Sequence, residues 1–420
     1  MNRPRLALAV CVLFLAVPGC SEDGAPGGRT LQVQVSGEVE ETVVYTTVVE
    51  RFERANPDVD IELVAIPEKD AHLARLTTTF AAGDPPDVFL VNYREFSQFV
   101  ARGGVEPVGP LLGDVGMDPD DYYPEPLEAF TYDGELQCMP QNISSLVVYY
   151  NTKLFAETGI DRPPADWTWE DFRQAGLELT RDEVRGIGIE PSIIRIAPFV
   201  WSNGGDVVDD TESPTRFTLD TPEARAALEF IVSLVRDDAV VPTEEEIAAQ
   251  NLETRFVSGK LGMLLSSRRD TPVFREVPGL FWDVLPLPVR GEPAGILHSD
   301  AYCVARGADA DLAMEFIAFA TGERGQTVTA VGGRTVPSLR AIAESPAFLD
   351  PIRPPRHSRV FLDGIPHIRR TPVIPTWPEI EDVTEEILTR LFYEDDYSLD
   401  RAFEDLDDQT TPLFEEGAPR

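Results

Sequence analysis

Positive charge is scarce in this chain. Its 420 residues carry 36 Lys and Arg against 73 Asp and Glu, a net charge of −37. A phosphate backbone would be repelled over most of such a surface, which excludes nucleic acid as a partner. Lysine is nearly missing: only Lys69, Lys153 and Lys260 occur. Histidine is limited to His72, His298, His357 and His367, without HExxH or the Cys/His spacing of a zinc site. His357 and His367 fall in a proline-rich stretch that reads as solvated loop, so no metal is expected. GxSxG, GxxxxGK[ST] and GxGxxG are all absent, so there is no hydrolase elbow, phosphate loop or dinucleotide fingerprint, and no cofactor is expected. Among 73 acidic residues, carboxylate pairs arise by chance and do not mark a glycosidase.

Long apolar runs are missing too. The stretch Leu6 to Val17 has 12 residues, short of the ~20 that a spanning helix needs. With Arg3 and Arg5 before it, residues 1–19 read as a secretory signal. The stretch ends Val17-Pro18-Gly19-Cys20, which resembles the bacterial lipobox, although Pro18 departs from the usual small residue. Cys20 is therefore expected to carry a lipid anchor. Residues 20–30, rich in Gly, Pro and Ser, would be the tether. The expected location is extracytoplasmic and membrane-anchored. Cys138 and Cys303 remain. An oxidising compartment permits a disulfide, but sequence alone does not bring them together, and we read them as two isolated small core residues.

The body contains the elements of an α/β fold. Leu31 to Val35 alternates with period two, and Glu41 to Ala55 places Val44, Val48 and Phe52 on one helical face. Val59 to Ala65 alternates again, and Asp70 to Ala82 turns Leu73, Leu76 and Phe80 inward before a stop at Gly83. Val88 to Val91 has the short apolar run of a buried parallel strand. A second set follows Pro140: a strand at Leu146–Tyr150, a capping-box start at Thr168–Asp171, a helix opening at Thr221-Pro222-Glu223 and a strand at Gly262–Leu265. Helices are predicted over Asp311–Thr321 and Glu379–Phe392. The acidic tail to Glu416 reads as a solvated end.

Several segments, in order, resemble the extracellular solute-binding proteins of ABC transporters, in the carbohydrate-binding family that includes maltodextrin-binding proteins. They are Phe80-Ala-Ala-Gly-Asp-Pro-Pro-Asp-Val-Phe89, Gly103-Gly-Val-Glu-Pro107, Tyr132-Asp-Gly-Glu-Leu-Gln-Cys-Met-Pro140 and Tyr149-Tyr-Asn-Thr-Lys-Leu-Phe155. Pro163 to Phe172, Asn203-Gly-Gly-Asp206, Phe256 to Met263 and Trp377-Pro-Glu-Ile380 continue the series. The resemblance implies two doubly wound α/β lobes joined by a multi-crossing hinge, like the type II periplasmic-binding proteins. It implies a first lobe of residues 31–140 plus 290–333 and a second of 141–289 plus 334–420. The crossings would lie near Cys138–Ser144, Pro288–His298 and Gly333–Pro337.

Ligands of open sheets lie beyond the carboxyl ends of strands. That rule and the resemblance together point to Glu38, Tyr93, Asn142 and Trp201, and to Trp377 as a stacking aromatic. His298 and Asp300, where the family usually has small residues, suggest a specific polar contact. Arg334 would donate to a hydroxyl or carboxylate, and Ser267 is a further candidate. Trp167 and Trp169 read as a helix-start staple. The function expected is that of a monomeric, lipid-anchored receptor that captures a carbohydrate by lobe closure and delivers it, unaltered, to a permease. Alternatives are a sugar acid, a glycerol phosphodiester or a polyamine as ligand, or an extracytoplasmic carbohydrate-active enzyme.

Overall fold

In the computed structural model, which describes residues 28–418, the alternating residues at the start of the body form β1 (Arg29–Ser36) and bury Leu31, Val33 and Val35. Helix α1 (Val39–Ala55) packs Val48 and Phe52 inward, joined by Tyr45 and Val49. Strand β2 (Val59–Ile66) and helix α2 (Lys69–Ala82) follow, and α2 ends at Gly83, whose φ of 75° is a conformation that L side chains rarely adopt. Strand β3 (Val88–Asn92) leads straight into α3 (Tyr93–Val100), where the Asn92 side chain accepts from the Arg94 amide. After β4 (Val105–Glu106) the chain reaches β5 (Cys138–Pro140) and β6 (Asn142–Ile143).

The second sheet begins with β7 (Val147–Asn151). Helix α4 (Trp169–Leu179) opens on the expected capping box, with the Asp171 amide donating to Thr168 Oγ1 at 3.2 Å and the Thr168 amide to Asp171 Oδ2 at 2.8 Å. Trp169 stacks on Phe230 at 4.7 Å and the Trp167 indole donates to the Pro286 carbonyl at 2.9 Å, so both indoles serve the core of this lobe. Strand β8 (Arg185–Gly188), helices α5 (Ile193–Ser202) and α6 (Pro222–Arg236), and strands β9 (Leu261–Ser266) and β10 (Trp282–Leu285) complete this half. Next come β11 (Gly295–Ile296), β12 (Asp300–Ala305), α7 (Ala310–Thr321), α8 (Glu323–Gly332), β13 (Val336–Pro337), β14 (Ile368–Arg369), α9 (Trp377–Tyr393) and α10 (Leu399–Gly417).

The first sheet has the order β2-β1-β3-β12-β4, with β5 also on β12. Its β1 runs parallel to β2 and β3, while β12 returns antiparallel. The second has the order β8-β9-β7-β10, and β7 is antiparallel to both neighbours. Two α/β lobes result, each sheet mixed rather than wholly parallel, because β7 and β12 enter directly from the other lobe and not through a crossover helix.

Where the chain passes between the sheets, its segments pair. Strand β6 lies antiparallel to β13. Ser144 and His298 exchange backbone bonds at 2.8 and 2.9 Å. The hydroxyls of Ser299 and Ser338 donate to the carbonyls of Asn142 and Pro140 at 2.6 and 2.7 Å. Short crossing segments of this kind can absorb a bend between two rigid bodies.

Two expectations are corrected. Cys138 and Cys303 are not isolated: they form a disulfide, because the antiparallel register of β5 on β12 sets them directly opposite each other. The acidic tail is not a solvated end. It forms α10, which packs on α9 and buries Ala402, Leu406 and Phe414 on one side, together with Asp405, which accepts from the Tyr397 hydroxyl at 2.6 Å, while its other carboxylates stay exposed. The proposed signal segment, Cys20 and most of the tether lie outside the described residues. Among the described residues no helix is long and apolar enough to cross a membrane.

Candidate ligand-binding cleft

A cavity of about 1060 Å³ opens where the strands of the first sheet end. Ser36 and Asn92 at the ends of β1 and β3 line it, with the first turns of α1, α2 and α3. The second lobe contributes the start of α5, the residues just past β9, and one side of α9. This is the position that open sheets give their ligands, beyond the carboxyl ends of the strands.

Five of the nine candidates from sequence line the cavity: Asn142, Ser267, His298, Asp300 and Arg334. Two of them already hold each other. Asp300 accepts from Asn92 and Asn142 at 3.0 Å each, and the Asp300 amide donates to Asn142 Oδ1 at 3.2 Å. Asn142 also donates to Gln141 at 2.9 Å. With its polar atoms so engaged, Asn142 ties β6 to the start of β12. Arg334 is likewise partnered. It pairs with Glu41 of α1 and donates to the Arg269 carbonyl at 3.3 Å, so it bridges the two lobes.

The other four do not reach the cavity. Glu38 sits at the N-cap of α1 and is exposed; Glu41, one turn on, is the carboxylate on the wall. Tyr93 is fully buried and bonded to Thr371 through its hydroxyl at 2.9 Å. Trp201, in the last turn of α5, is covered by the Arg369 guanidinium at 4.9 Å. Trp377 is fully buried between Phe217 at 6.2 Å and Phe414 at 6.3 Å. These three aromatics fill cores. Among the described lining residues Tyr45 is the only Phe, Tyr or Trp, so the wall expected to stack on a ligand with indole and phenol faces is instead polar and charged. His357 also departs from a freely solvated loop: its Nδ1 lies 2.6 Å from Asp283 Oδ2 of β10. Among the described residues no cluster of metal-ligating side chains occurs.

The residues missed from sequence are mostly these charged ones. Glu95 of α3 pairs with Lys69, and burial pushes its carboxyl up. Burial raises Glu41 to about 7 and Asp300 adds to the rise, while the Arg334 guanidinium opposes it. Asp382 and Glu385 on α9 are raised by burial and then by neighbouring carboxylates. Burial holds His298 well below the usual histidine range, and Arg195, Arg94, Arg269 and Lys69 push the same way. Its imidazole is neutral. One signal for Arg195 was legible: it stands alone as a charge in Ile193-Ile-Arg-Ile-Ala197. Arg94 follows Tyr93 by one residue, so the strand-end rule reached the right place and the wrong side chain.

Residues 37–327 match the family described as bacterial extracellular solute-binding protein. The chain belongs to that family. This solute-binding protein is 23% identical over 329 residues to the diacetylchitobiose binding protein DasA of Streptomyces coelicolor, covering 76% of this chain and 74% of that one. It superposes with a TM-score of 0.83 on the ABC substrate-binding protein Lmo0181 of Listeria monocytogenes in complex with cycloalternan, at 23% identity and over 93% and 99% of the two chains. UgpB of Mycobacterium tuberculosis in complex with glycerophosphocholine gives 0.80 at 20% identity, over 93% and 99%. The solute-binding protein thus shares the two-lobed, maltose-receptor-like fold and the extracytoplasmic setting of its family.

Proposed function

We propose that this chain is the substrate-binding component of an ABC importer, capturing a sugar or oligosaccharide between its lobes and passing it unaltered to a membrane permease. The observation that carries the reading is the large polar cavity walled by both lobes beside paired crossing segments. A ligand that touches both walls favours the closed arrangement by its differential contacts, and release reopens it. The relatives named for diacetylchitobiose and cycloalternan support a saccharide ligand. With Tyr45 the only Phe, Tyr or Trp among the described lining residues, recognition rests on hydrogen bonds to hydroxyls rather than on stacking. In this reading Cys20 carries the lipid anchor, the protein acts as a monomer, and there is no chemical step.

Thermal-shift screening of the mature protein against neutral sugars, sugar acids and amines tests it. A saccharide should raise the melting temperature in step with RT ln(1 + [L]/Kd). Stabilisation by amines alone would refute the saccharide reading, and cleavage products after incubation with oligosaccharides would favour an enzyme.

A further inference from the structure

Helix α5 begins Ile193-Ile-Arg-Ile-Ala197, and its one charged side chain, Arg195, is 3% exposed yet lines the cleft. Arg195 Nη2 pairs with Glu190 at 2.7 Å, whereas its Nε and Nη1 have no hydrogen-bond partner. A guanidinium has donors only and keeps its proton, so buried N–H groups left over call for an acceptor from outside the chain. Two further buried groups nearby in the fold are also unsatisfied. The N-cap hydroxyl of Ser192 makes no cap bond and has no partner, and His298 Nε2 has none either. The start of α5 adds the positive end of the helix dipole to the same wall.

Resting on the saccharide reading above, we infer that this wall seats an oxyanion of the ligand: a carboxylate or phosphate borne by a sugar, held on Arg195 with His298 beside it. Arg94, Arg269 and Lys69 lie around the same imidazole, but each is already paired with a carboxylate, Glu381, Glu253 and Glu95 respectively; the donors left over on Arg195, not a net positive field, mark the seat. Of the carboxylates that line the cleft, Glu41, Glu95, Glu190 and Glu381 are paired with Arg334, Lys69, Arg195 and Arg94, and Asp300 accepts from Asn92 and Asn142; Asp70, Asp382, Glu385 and Glu386 lie on its more exposed side, where water screens them in part. Contacts to the buried guanidinium act in a lower dielectric and decide affinity; the exposed carboxylates slow the approach of an anion.

The test is calorimetric titration of the mature protein with uronate-containing saccharides, with their carboxyl-reduced neutral counterparts and with sugar phosphates. At least one acidic saccharide should bind tenfold or more tighter than its neutral counterpart. Uronates and sugar phosphates are separate arms, so the stronger arm identifies the oxyanion. Arg195→Gln should reduce that preference to less than threefold, and Arg195→Lys should restore part of it. Inorganic phosphate should compete with the acidic saccharide on the unsubstituted protein, a readout that holds even if a variant fails to fold. Equal affinity for acidic and neutral saccharides, or no competition by phosphate, overturns the oxyanion seat and leaves the saccharide reading standing. Failure of every saccharide to bind overturns both.

Discussion

Arg94 Nη1 lies 2.9 and 2.7 Å from the two carboxylate oxygens of Glu381, and the pair ties α3 of the first lobe to α9 of the second. Both side chains are largely buried, at 11% and 17% exposure, so the contact is sheltered from solvent screening. Losing one partner of such a pair costs about 1–3 kcal/mol. Arg94→Met should therefore favour lobe separation and weaken ligand binding by about tenfold, mainly through faster dissociation. Stopped-flow dissociation with solution scattering reads both effects. Unchanged dissociation and an unchanged radius of gyration would remove the pair from any role in closure.

The buried Glu41 carboxyl makes stability depend on pH. Its ordinary value of 4.5 rises to about 7 in the folded protein, with burial the main cause. The folded state then holds a proton that the unfolded chain has released, so its contribution is full below 4.5 and is lost as pH climbs through 7. From the linkage relation, the loss approaches about 3 kcal/mol as an upper bound. Glu41→Gln cannot titrate. Urea unfolding at pH 5 and pH 8 should show the variant gaining on the parent at the higher pH; a constant difference would contradict it.

The disulfide between Cys138 and Cys303 closes a loop across 165 residues of sequence. Cross-links of that span restrict the unfolded chain, and their loss typically costs about 2–5 kcal/mol. The double substitution Cys138→Ala with Cys303→Ala should lower the denaturation midpoint accordingly, with ligand affinity retained at temperatures where the variant is folded. An unaltered midpoint would mean that the link adds nothing to stability.

Trp377 offers a direct contrast between core and ligand roles. It is fully buried among Phe217 and Phe414. Truncation to Ala should destabilise the fold by roughly 3–5 kcal/mol. Trp377→Phe, which keeps most of the packing, should leave saccharide affinity unchanged in titration calorimetry. A marked loss of affinity in that variant would return the indole to the ligand.

Much of the fold was legible because its signals are local. The period-two run of β1, the stop at Gly83 and the reciprocal bonds of Thr168 and Asp171 each involve residues a few positions apart, and short-range sterics and hydrogen bonding decide them. The alternation of strands and helices likewise fixed the class of fold and the end of the sheet where a ligand belongs. Partnerships across the chain had no such signal. Only tertiary packing decided that Tyr93, Trp201 and Trp377 fill cores while Glu41, Arg94 and Arg195 face the cleft, that Cys138 meets Cys303, and that the acidic tail folds back on α9. An amphipathic pattern says which residues must leave water, but what they meet depends on register and packing set by other elements, from the neighbouring helix in the case of α10 to a strand 165 residues away in the case of Cys138.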